Sequence, residues 1–290
     1  MFEKISYTWS LMRASWDVLK RDKGLLIFPL LSGISCLLIM ASFAVPIYQA
    51  KAWHPPGRDA QPVQQVMYYG ALFCFYFANY FVVTFFNTAI IACAINRLQG
   101  GEPTVGYGFS VAMSRIHLIL GWTLLSATVG LALRIIEDRS ERVGAIVAGL
   151  FGMAWTVMSY LVVPILVVEQ KGPFAALKES SVLLKRTWGE RLVGNSSFGL
   201  IFFLLLLPAI ALVVAGGALA GNMHSAAPIV LCIAIAVIYG TLLMLVNSAL
   251  QAIFQAAVYL HAAHPATVRD GATGPRGFPV ELLSNAMAAK

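Results

Sequence analysis

The sequence predicts an all-α integral membrane protein with six transmembrane helices arranged as three hairpins. Hydrophobic residues make up 59% of the 290 residues, charged residues only 11%, and the mean hydropathy is +0.78. A soluble domain carries about 25% charged residues, so this chain has too few charges to cover a surface that faces water. Several uninterrupted apolar runs also exceed the roughly 20 residues that a helix needs to cross a bilayer core of about 30 Å. These observations exclude an ordinary soluble domain.

Six apolar runs define the predicted spans and divide the chain into three regions. The spans cover residues of about 25–48, 66–95, 116–136, 143–168, 194–220 and 228–260. The runs are continuous, whereas a transmembrane β-barrel needs segments of about ten residues that alternate apolar and polar side chains. We expect a cytoplasmic amphipathic helix at 1–24, a six-helix transmembrane domain at 25–262 and a flexible cytoplasmic tail, rich in Gly and Pro, at 263–290.

The distribution of basic residues predicts how the chain is oriented. Fifteen of the 20 Lys and Arg residues fall on one side of the predicted spans, and five fall on the other. By the positive-inside rule the richer side faces the cytoplasm, so both termini are expected there. This asymmetry, together with attraction to anionic lipid headgroups, explains the net charge of +7 without a nucleic-acid partner.

A charged phrase occurs twice, each time ahead of an apolar run. Ser15–Gly24 and Ser180–Gly189 share the pattern Ser-x-x-(Val/Leu)-Leu-Lys-Arg-x-x-Gly. Each phrase ends a segment whose apolar residues recur at helical spacing, which is typical of a helix that lies at a membrane surface. We interpret each phrase as an elbow at which such an interfacial helix turns into the membrane. The basic pairs of the elbows are Lys20, Arg21, Lys185 and Arg186, and the expected aromatic anchors are Trp9, Trp16 and Trp188.

A second repeated phrase indicates an internal duplication. Residues 86–94 and 246–254 share Asn-(Thr/Ser)-Ala-(Ile/Leu)-x-Ala, with Asn87 aligned on Asn247. The offset is 160 residues, against 165 for the charged phrase. Nearly equal offsets favour a repeated unit, an interfacial helix followed by a helical hairpin. A looser match at 106–122 predicts a third unit, and the three would be parallel repeats around an axis normal to the membrane.

Three stretches of the sequence resemble a known family. They are SWDVLKRDKGLLIFPLL, AINRLQGGEPTVGYGFSVAMSRI and LVVPILVVEQKGPFAALKESSVLLKRTWG. Over residues 5–262 the chain looks like a family of bacterial multipass inner-membrane proteins known only as a domain of unknown function. It is more distantly similar to the six-helix membrane regions of glycerophosphodiester phosphodiesterase-type proteins. The resemblance implies the fold and a bacterial inner-membrane location, and it carries over no catalytic residue.

The predicted membrane cores contain no Asp, Glu, Lys or Arg. Arg134 and Glu169 come nearest, and both lie at the ends of spans. Ionisable groups at membrane depth mark proton relays and ion pathways. Their absence disfavours a proton-coupled carrier, a charged ion filter and an intramembrane aspartyl enzyme. The sequence also lacks metal-ligand spacing, a Walker loop and a dinucleotide fingerprint. We therefore expect no enzymatic activity, no metal and no cofactor.

Neutral polar residues do occur inside the predicted cores. Asn79 and Asn87 lie on the second span, and Asn247, Gln251 and Gln255 recur every four residues on the last. Amides in lipid need hydrogen-bond partners, so these side chains are expected to point into the bundle. There they form interhelical hydrogen bonds worth about 0.5–2 kcal/mol each, or they line a cavity for a solute or a lipid headgroup.

Two classes of function are open on these grounds. The favoured one is a non-enzymatic inner-membrane protein that serves as a scaffold or assembly partner in an envelope complex. It would bind a protein partner, or a second copy, through its amphipathic cytoplasmic helices. The alternative is a transporter or lipid-handling protein that uses the neutral polar stripes. A cavity that reaches Asn87, Asn247 and Gln251 would support the alternative, whereas amides packed against each other would remove its basis.

Overall fold

A computed structural model describes residues 2–49, 61–139, 143–188, 197–223 and 225–263. These residues form α-helices joined by short connections, with no strand among them, so the predicted all-α class is confirmed. The helices are α1 (Phe2–Arg21), α2 (Ile27–Gln49), α3 (Pro62–Leu98), α4 (Val105–Ser114), α5 (Ile116–Arg139), α6 (Val143–Ser159), α7 (Val162–Val168), α8 (Pro173–Trp188), α9 (Ser197–Met223) and α10 (Ala227–Ala263). The tail predicted at 263–290 lies outside the described residues from 264 onward.

Six helical segments in the described part of the chain are long and apolar enough to cross a membrane, as predicted. They are Lys23–Val45, Pro62–Leu98, Ile116–Glu137, Ile146–Val168, Phe202–Gly221 and Ala227–Leu260. Helices α3 and α10 have 37 residues each, so at about 1.5 Å per residue both are about 55 Å long. A bilayer core is only about 30 Å thick, and both helices therefore reach well beyond it.

The fourth of these segments is interrupted near its end. Helix α6 ends at Ser159 and α7 begins at Val162. Pro164 has no backbone N–H, so it cannot donate to the carbonyl four residues earlier, which belongs to Tyr160. The helix therefore breaks at Tyr160 and Leu161 and restarts with Pro164 in its first turn, where a missing N–H costs little.

The helices pack around a centre made by α3, α7 and α10, which contact one another. Helix α2 packs on α3, α5 on α6, and α9 on α10. The shorter helices surround this centre, with α4 on α3 and α5, and α8 on α5, α6, α7 and α10. Helix α1 packs on α9 and α10, so the first helix closes the bundle against the last.

Side-chain burial is concentrated at one end of the bundle, which we call the short-helix end because α1, α4 and α8 lie there. Most residues of Ala89–Ile95, Leu161–Val167 and Ala249–Leu260 are buried at this end. Toward the other end large apolar side chains such as Leu37 and Leu231 are exposed. In a membrane those side chains contact hydrocarbon, so lipid takes the place of protein packing partners in that half.

The chain leaves α3 through a two-glycine turn. Gly100 adopts a φ of 96°, and the Gly101 N–H donates to the Asn96 carbonyl at 2.9 Å, as in a Schellman turn. In the last turn of α3, Arg97 donates to the carbonyl of Arg21 at 3.4 Å. This contact ties the end of α1 to the end of α3.

Helix α4 lies close against α2 and α3 because Gly108 has no side chain. A Cβ at this position would lie 2.6 Å from the Phe28 ring, 2.8 Å from the Cys93 sulfur and 2.9 Å from the Ala89 carbonyl oxygen. All three distances are shorter than van der Waals contact, so the position accepts only glycine without a shift of the helices.

Candidate functional site

The break between α6 and α7 exposes backbone groups that two other helices bind. The Tyr160 carbonyl, which Pro164 cannot reach, accepts a hydrogen bond from Nε2 of Gln255 on α10. The Leu161 N–H donates to the hydroxyl of Ser180 on α8 at 3.1 Å. A buried polar group without a partner costs about 1–3 kcal/mol, so both side chains stabilise the break. One residue of the predicted polar stripe therefore has a structural role.

Beside Gln255 a cavity of about 160 Å³ lies between α2, α3 and α10. Its polar lining residues are Ser32 from α2, Asn87 from α3, and Ser248, Gln251 and Gln255 from α10. The α10 residues are spaced by three and four, which places them on one face of that helix. A water molecule takes about 30 Å³ in the liquid, so the cavity has room for several waters or for one small polar group.

The three amides of the cavity differ in how far their hydrogen-bonding capacity is used. Gln255 is bound to the Tyr160 carbonyl, and Gln251 donates from Nε2 to Oδ1 of Asn247 at 3.0 Å. The side chain of Asn87 makes no hydrogen bond to any residue that the structure describes. An amide offers two donors and an acceptor oxygen. The cavity therefore keeps unused donors and acceptors, chiefly at Asn87.

The lining of the cavity combines apolar and neutral polar side chains. No acid, base, histidine or cysteine is among the described residues that line it. Ser248 and Gln251 are exposed, so the cavity opens on the outer surface of the bundle. Moving an ion into such a place without a counter-charge costs far more than moving a hydroxyl or amide. The chemistry of the site therefore suits an uncharged ligand that both donates and accepts hydrogen bonds.

The structure brings only part of the predicted polar stripes to this cavity. Asn87, Gln251 and Gln255 line it, whereas Asn247 lies beside it as the acceptor for Gln251. Each four-residue step advances about 40° around a helix, so Asn247 lies about 80° away from Gln255. Asn79 is two turns from Asn87 on α3 and donates to the Phe75 carbonyl of its own helix at 2.9 Å.

Sequence reasoning missed the contribution of α2 to the cavity. Ser32 lines it together with Pro29, one turn earlier on the same helix. A single serine in an apolar span often bonds a carbonyl of its own helix, so Ser32 carries no signal in the sequence. Ser248 had a signal, because it belongs to the repeated Asn-(Thr/Ser)-Ala phrase.

Of the basic elbow residues, the three with described side chains, Lys20, Arg21 and Lys185, do not line the cavity. Lys20, Arg21 and Lys185 are exposed. The Lys20 ammonium lies 5.7 Å from the centroid of the Trp16 ring, and Trp16 is 39% exposed. The other residues predicted for the elbows and their aromatic anchors are Trp9, Arg186 and Trp188. Their side chains lie outside the described part of the structure.

A charged cluster joins α7, α8 and α10 at the short-helix end. The Tyr259 hydroxyl donates to Oε1 of Glu169 at 2.9 Å, and the Lys171 ammonium lies 2.6 Å from Glu169 and also binds Glu179. Burial raises the pKa of Glu169, but the hydrogen bonds from Lys171 and Tyr259 outweigh it and hold that pKa below its usual range. Hydrogen bonds to the two carboxylates raise the pKa of Lys171. Glu169 and Lys171 are therefore ionised at neutral pH, and the cluster fastens the three helices.

Six apolar helices of spanning length, with a polar cavity among them, indicate a multipass helical membrane protein. The chain belongs to the family of unknown function DUF6159, whose profile matches residues 66–270. The match includes the α3 and α10 walls of the cavity, and it agrees with the uncharacterised membrane family expected from the sequence. No curated protein and no solved structure matches the chain. The bacterial origin and the similarity to phosphodiesterase membrane regions stay predictions.

Proposed function

We propose that this protein is a non-enzymatic, lipid-handling membrane protein that binds the uncharged, hydroxyl-bearing headgroup of a lipid between α2, α3 and α10. The proposal rests on one observation. The unused amide of Asn87 lies beside Gln251 in a cavity that opens on the surface of helices long enough to span a membrane. Of the three residues named in the criterion set out from the sequence, the cavity reaches Asn87 and Gln251 but not Asn247, which bonds Gln251. We take these two contacts as support for the lipid-handling class over the scaffold.

Unused hydrogen-bonding groups at membrane depth favour a bound polar group. Hydrocarbon offers them no partner, and each unsatisfied group costs several kcal/mol there. A ligand hydroxyl donates one hydrogen bond and accepts two, which matches the donors and acceptor that Asn87 leaves free. Ordered water can satisfy the same groups, so the headgroup binds by displacing water from the cavity.

The position of the opening favours a lipid over a dissolved solute. The exposed residues Ser248 and Gln251 mark the opening on the outside of α10. The short-helix end is closed by the packed stretch that begins at Ala249 and by its partners on α3 and α7. A lipid headgroup reaches the cavity from the bilayer, whereas a solute would need a path through this packing.

The proposal includes an architecture of three repeated units in a bacterial inner membrane, with both termini in the cytoplasm. Each unit is an interfacial helix (α1, α4 or α8) followed by a helical hairpin. Helices α3 and α10, which end the first and third units, both have 37 residues. The serines that open the two charged phrases, Ser15 and Ser180, are both fully buried. Each interfacial helix also packs on the hairpin of the preceding unit, and α1 completes the cycle on α9 and α10.

A lipid titration with matched variants tests the headgroup site. The purified full chain is titrated with a diacylglycerol, whose hydroxyl and ester groups are uncharged, and bound lipid is counted by native mass spectrometry. The double variant Asn87→Leu with Gln251→Leu is expected to lower binding about ten-fold, because two hydrogen bonds of about 0.5–1.5 kcal/mol each are lost. The methyl ether of the same diacylglycerol, which has no hydroxyl, should bind wild type and double variant alike.

Asn79→Leu is the matched control, since its amide bonds its own helix away from the cavity. It should leave diacylglycerol binding unchanged. A loss in this control as large as that in the double variant would contradict the headgroup site. Binding of free glycerol without binding of diacylglycerol would instead favour a solute carrier.

Assembly with a partner protein is the second candidate, and α8 is the observation that favours it. Phe174 is 74% exposed and Val182 is 53% exposed, next to the exposed Lys178 and Lys185. This face suits an acidic, apolar segment of a partner protein. Phe174→Ser with Val182→Ser is expected to release a copurifying partner without changing diacylglycerol binding. A wild-type chain that is extracted alone and monomeric under gentle conditions would contradict the assembly role.

A further inference from the structure

A second and larger groove lies between α1, α9 and α10. Its volume is about 650 Å³, within the range of roughly 300–1,000 Å³ that is usual for ligand sites. Helix α1 contributes Arg13 and Trp16, α9 contributes Leu205, and α10 contributes Tyr239, Leu242 and Val246. Among the described residues of the lining Arg13 alone is charged, and the others are aliphatic, aromatic or methionine.

The groove and the polar cavity occupy opposite faces of α10. Tyr239, Leu242 and Val246 are spaced by three and four, so they share one face. Ser248, which lines the cavity, follows Val246 by two residues and therefore lies about 160° away around the helix. The body of α10 separates the two sites, and a ligand in one does not touch a ligand in the other.

The walls of the groove are apolar and held at a fixed width. The Tyr239 hydroxyl donates to the Leu205 carbonyl at 2.7 Å. This bond satisfies the hydroxyl, leaves the ring as an apolar wall and ties α10 to α9. Arg13 is exposed and forms no ion pair with any residue that the structure describes. The groove thus joins a hydrocarbon surface to a guanidinium that has no ion-pair partner among the described residues.

We propose that the groove holds one acyl chain of an anionic phospholipid, whose phosphate pairs with the Arg13 guanidinium. Two of its walls belong to Phe202–Gly221 and Ala227–Leu260, which are long and apolar enough to span a membrane, so lipids are the molecules that surround it. Guanidinium groups bind phosphate oxygens bidentately. Lipid tails are as apolar as leucine side chains. The acyl chain therefore gains little free energy by moving from the bilayer into the groove. Arg13 therefore selects the lipid by the charge of its headgroup.

The test compares two phospholipids with the same acyl chains, one with an anionic headgroup and one with a zwitterionic headgroup. Delipidated protein is titrated with phosphatidylglycerol and with phosphatidylcholine of the same acyl chains, and bound lipid is counted by native mass spectrometry. Wild type should prefer phosphatidylglycerol. Arg13→Gln should lower phosphatidylglycerol binding about five-fold, the loss expected for one basic residue near an anionic surface, without changing phosphatidylcholine binding. Leu242→Trp, which fills the groove from an exposed position, should lower the binding of both.

Lys185→Gln makes the same charge change on α8 and serves as the matched control, with unchanged binding expected. Arg13→Gln should leave diacylglycerol binding unchanged, which separates this site from the headgroup cavity. An equal loss in Lys185→Gln and Arg13→Gln would reveal a general attraction to the basic surface and overturn the site. Binding of glycerol 3-phosphate as tight as that of phosphatidylglycerol would overturn the role of the acyl chain.

Discussion

Gln255 donates a hydrogen bond to the carbonyl of Tyr160, the oxygen that Pro164 leaves without a donor in its own helix. The bond connects α10 to the break between α6 and α7 across 95 residues of sequence. It lies at the edge of the polar cavity, so the same side chain both holds the bundle together and lines the candidate site. A substitution at Asn87 or Gln251 should therefore change ligand binding without a loss of stability, whereas a substitution at Gln255 should change both.

Replacing Gln255 by Leu should destabilise the protein by about 1–3 kcal/mol, because the Tyr160 carbonyl then has no partner. Thermal unfolding of the purified chain in a single detergent measures the change. Gln251→Leu is the control on the same face of α10, since Gln251 bonds only Asn247 of its own helix. An equal loss of stability in both variants would mean that the bond to Tyr160 has no special role.

Pro164→Ala supplies a backbone N–H that can reach the Tyr160 carbonyl and rejoin α6 to α7. In this background Gln255→Leu should cost at least about 1 kcal/mol less than in wild type, which a double-mutant cycle of unfolding measures. Strict additivity of the two substitutions would contradict the link between the proline and the glutamine.

Ser180→Ala should destabilise the protein by about 1–2 kcal/mol, because the Leu161 N–H loses the hydroxyl that it bonds. Ser181→Ala is the matched control on the neighbouring position, where the hydroxyl bonds the Leu177 carbonyl of its own helix. We expect a change within about 0.5 kcal/mol for the control, and a reversed order of the two effects would exclude the proposed cap.

Gly108→Ala should destabilise the contact of α4 with α2 and α3 by about 1–3 kcal/mol, since the added Cβ overlaps Phe28 and the Ala89 carbonyl. Two residues earlier on α4, a Cβ added at Gly106 would have the Thr104 hydroxyl as its nearest neighbour, at 3.8 Å. Gly106→Ala should therefore be neutral or slightly stabilising by helix propensity. Thermal unfolding distinguishes the two, and equal effects would mean that α4 is packed less closely than the structure has it.

The cluster of Glu169, Lys171 and Glu179 predicts a stability that depends on pH. The pKa of Glu169 is lowered on folding, so its contribution is present above the unfolded value of about 4.3 and is lost as pH falls through the folded value. The pKa of Lys171 is raised, so its contribution is present below about 10.4 and is lost as pH rises through the folded value.

Between about pH 5 and pH 10 the contributions of Glu169 and Lys171 are therefore both present. Glu169→Gln should flatten the acid side of a plot of melting temperature against pH, and the change should be modest because solvent screens a partly exposed pair. Gln170→Gly offers a contrast, because it relieves the φ of 54° at this turn without touching the charges. It should raise the whole curve while leaving its shape unchanged.

Neutralising Lys20, Arg21, Lys185 and Arg186 together should give a mixed orientation in the membrane, because the charge asymmetry of the loops falls. Labelling of single cysteines placed in the loops, from either side of sealed vesicles, measures the orientation. Neutralising Lys51 and Arg58, on the poorer side of the charge distribution, should strengthen the wild-type orientation. A single unchanged orientation in the fourfold variant would contradict the elbow interpretation.

Hydropathy alone was enough to predict the number and type of the spans. A backbone in hydrocarbon must satisfy its own hydrogen bonds, so a long apolar run has few alternatives to a helix. The direction of Gln255, which is partly buried against the Tyr160 carbonyl, follows from the same rule, whereas Gln251 is exposed and departs from the expected inward direction. The break at Tyr160 also had a visible signal in Pro164, although a proline inside an apolar run is compatible with a kink as well as with a break.

Contacts between distant parts of the chain left no such signal. Periodicity marks an apolar face on α1 but does not identify the helices against which α1 packs, which are α9 and α10. Ser15 of α1 is fully buried while Trp16 remains partly exposed, which reverses what hydropathy suggests for the two positions. The sequence likewise did not predict that Ser32 lines the cavity, because that role depends on residues of α3 and α10.

The unequal burial along the bundle has a consequence for how this family can vary. At the short-helix end each methyl group fits against protein atoms, so a change of shape there costs stability even when polarity is kept. In the other half Leu37 and Leu231 meet fluid acyl chains, which adapt to any side chain of similar hydropathy. Relatives should therefore exchange Leu, Ile, Val and Phe freely in that half, and a designer can recode it for a thicker or thinner bilayer while leaving the packed end untouched.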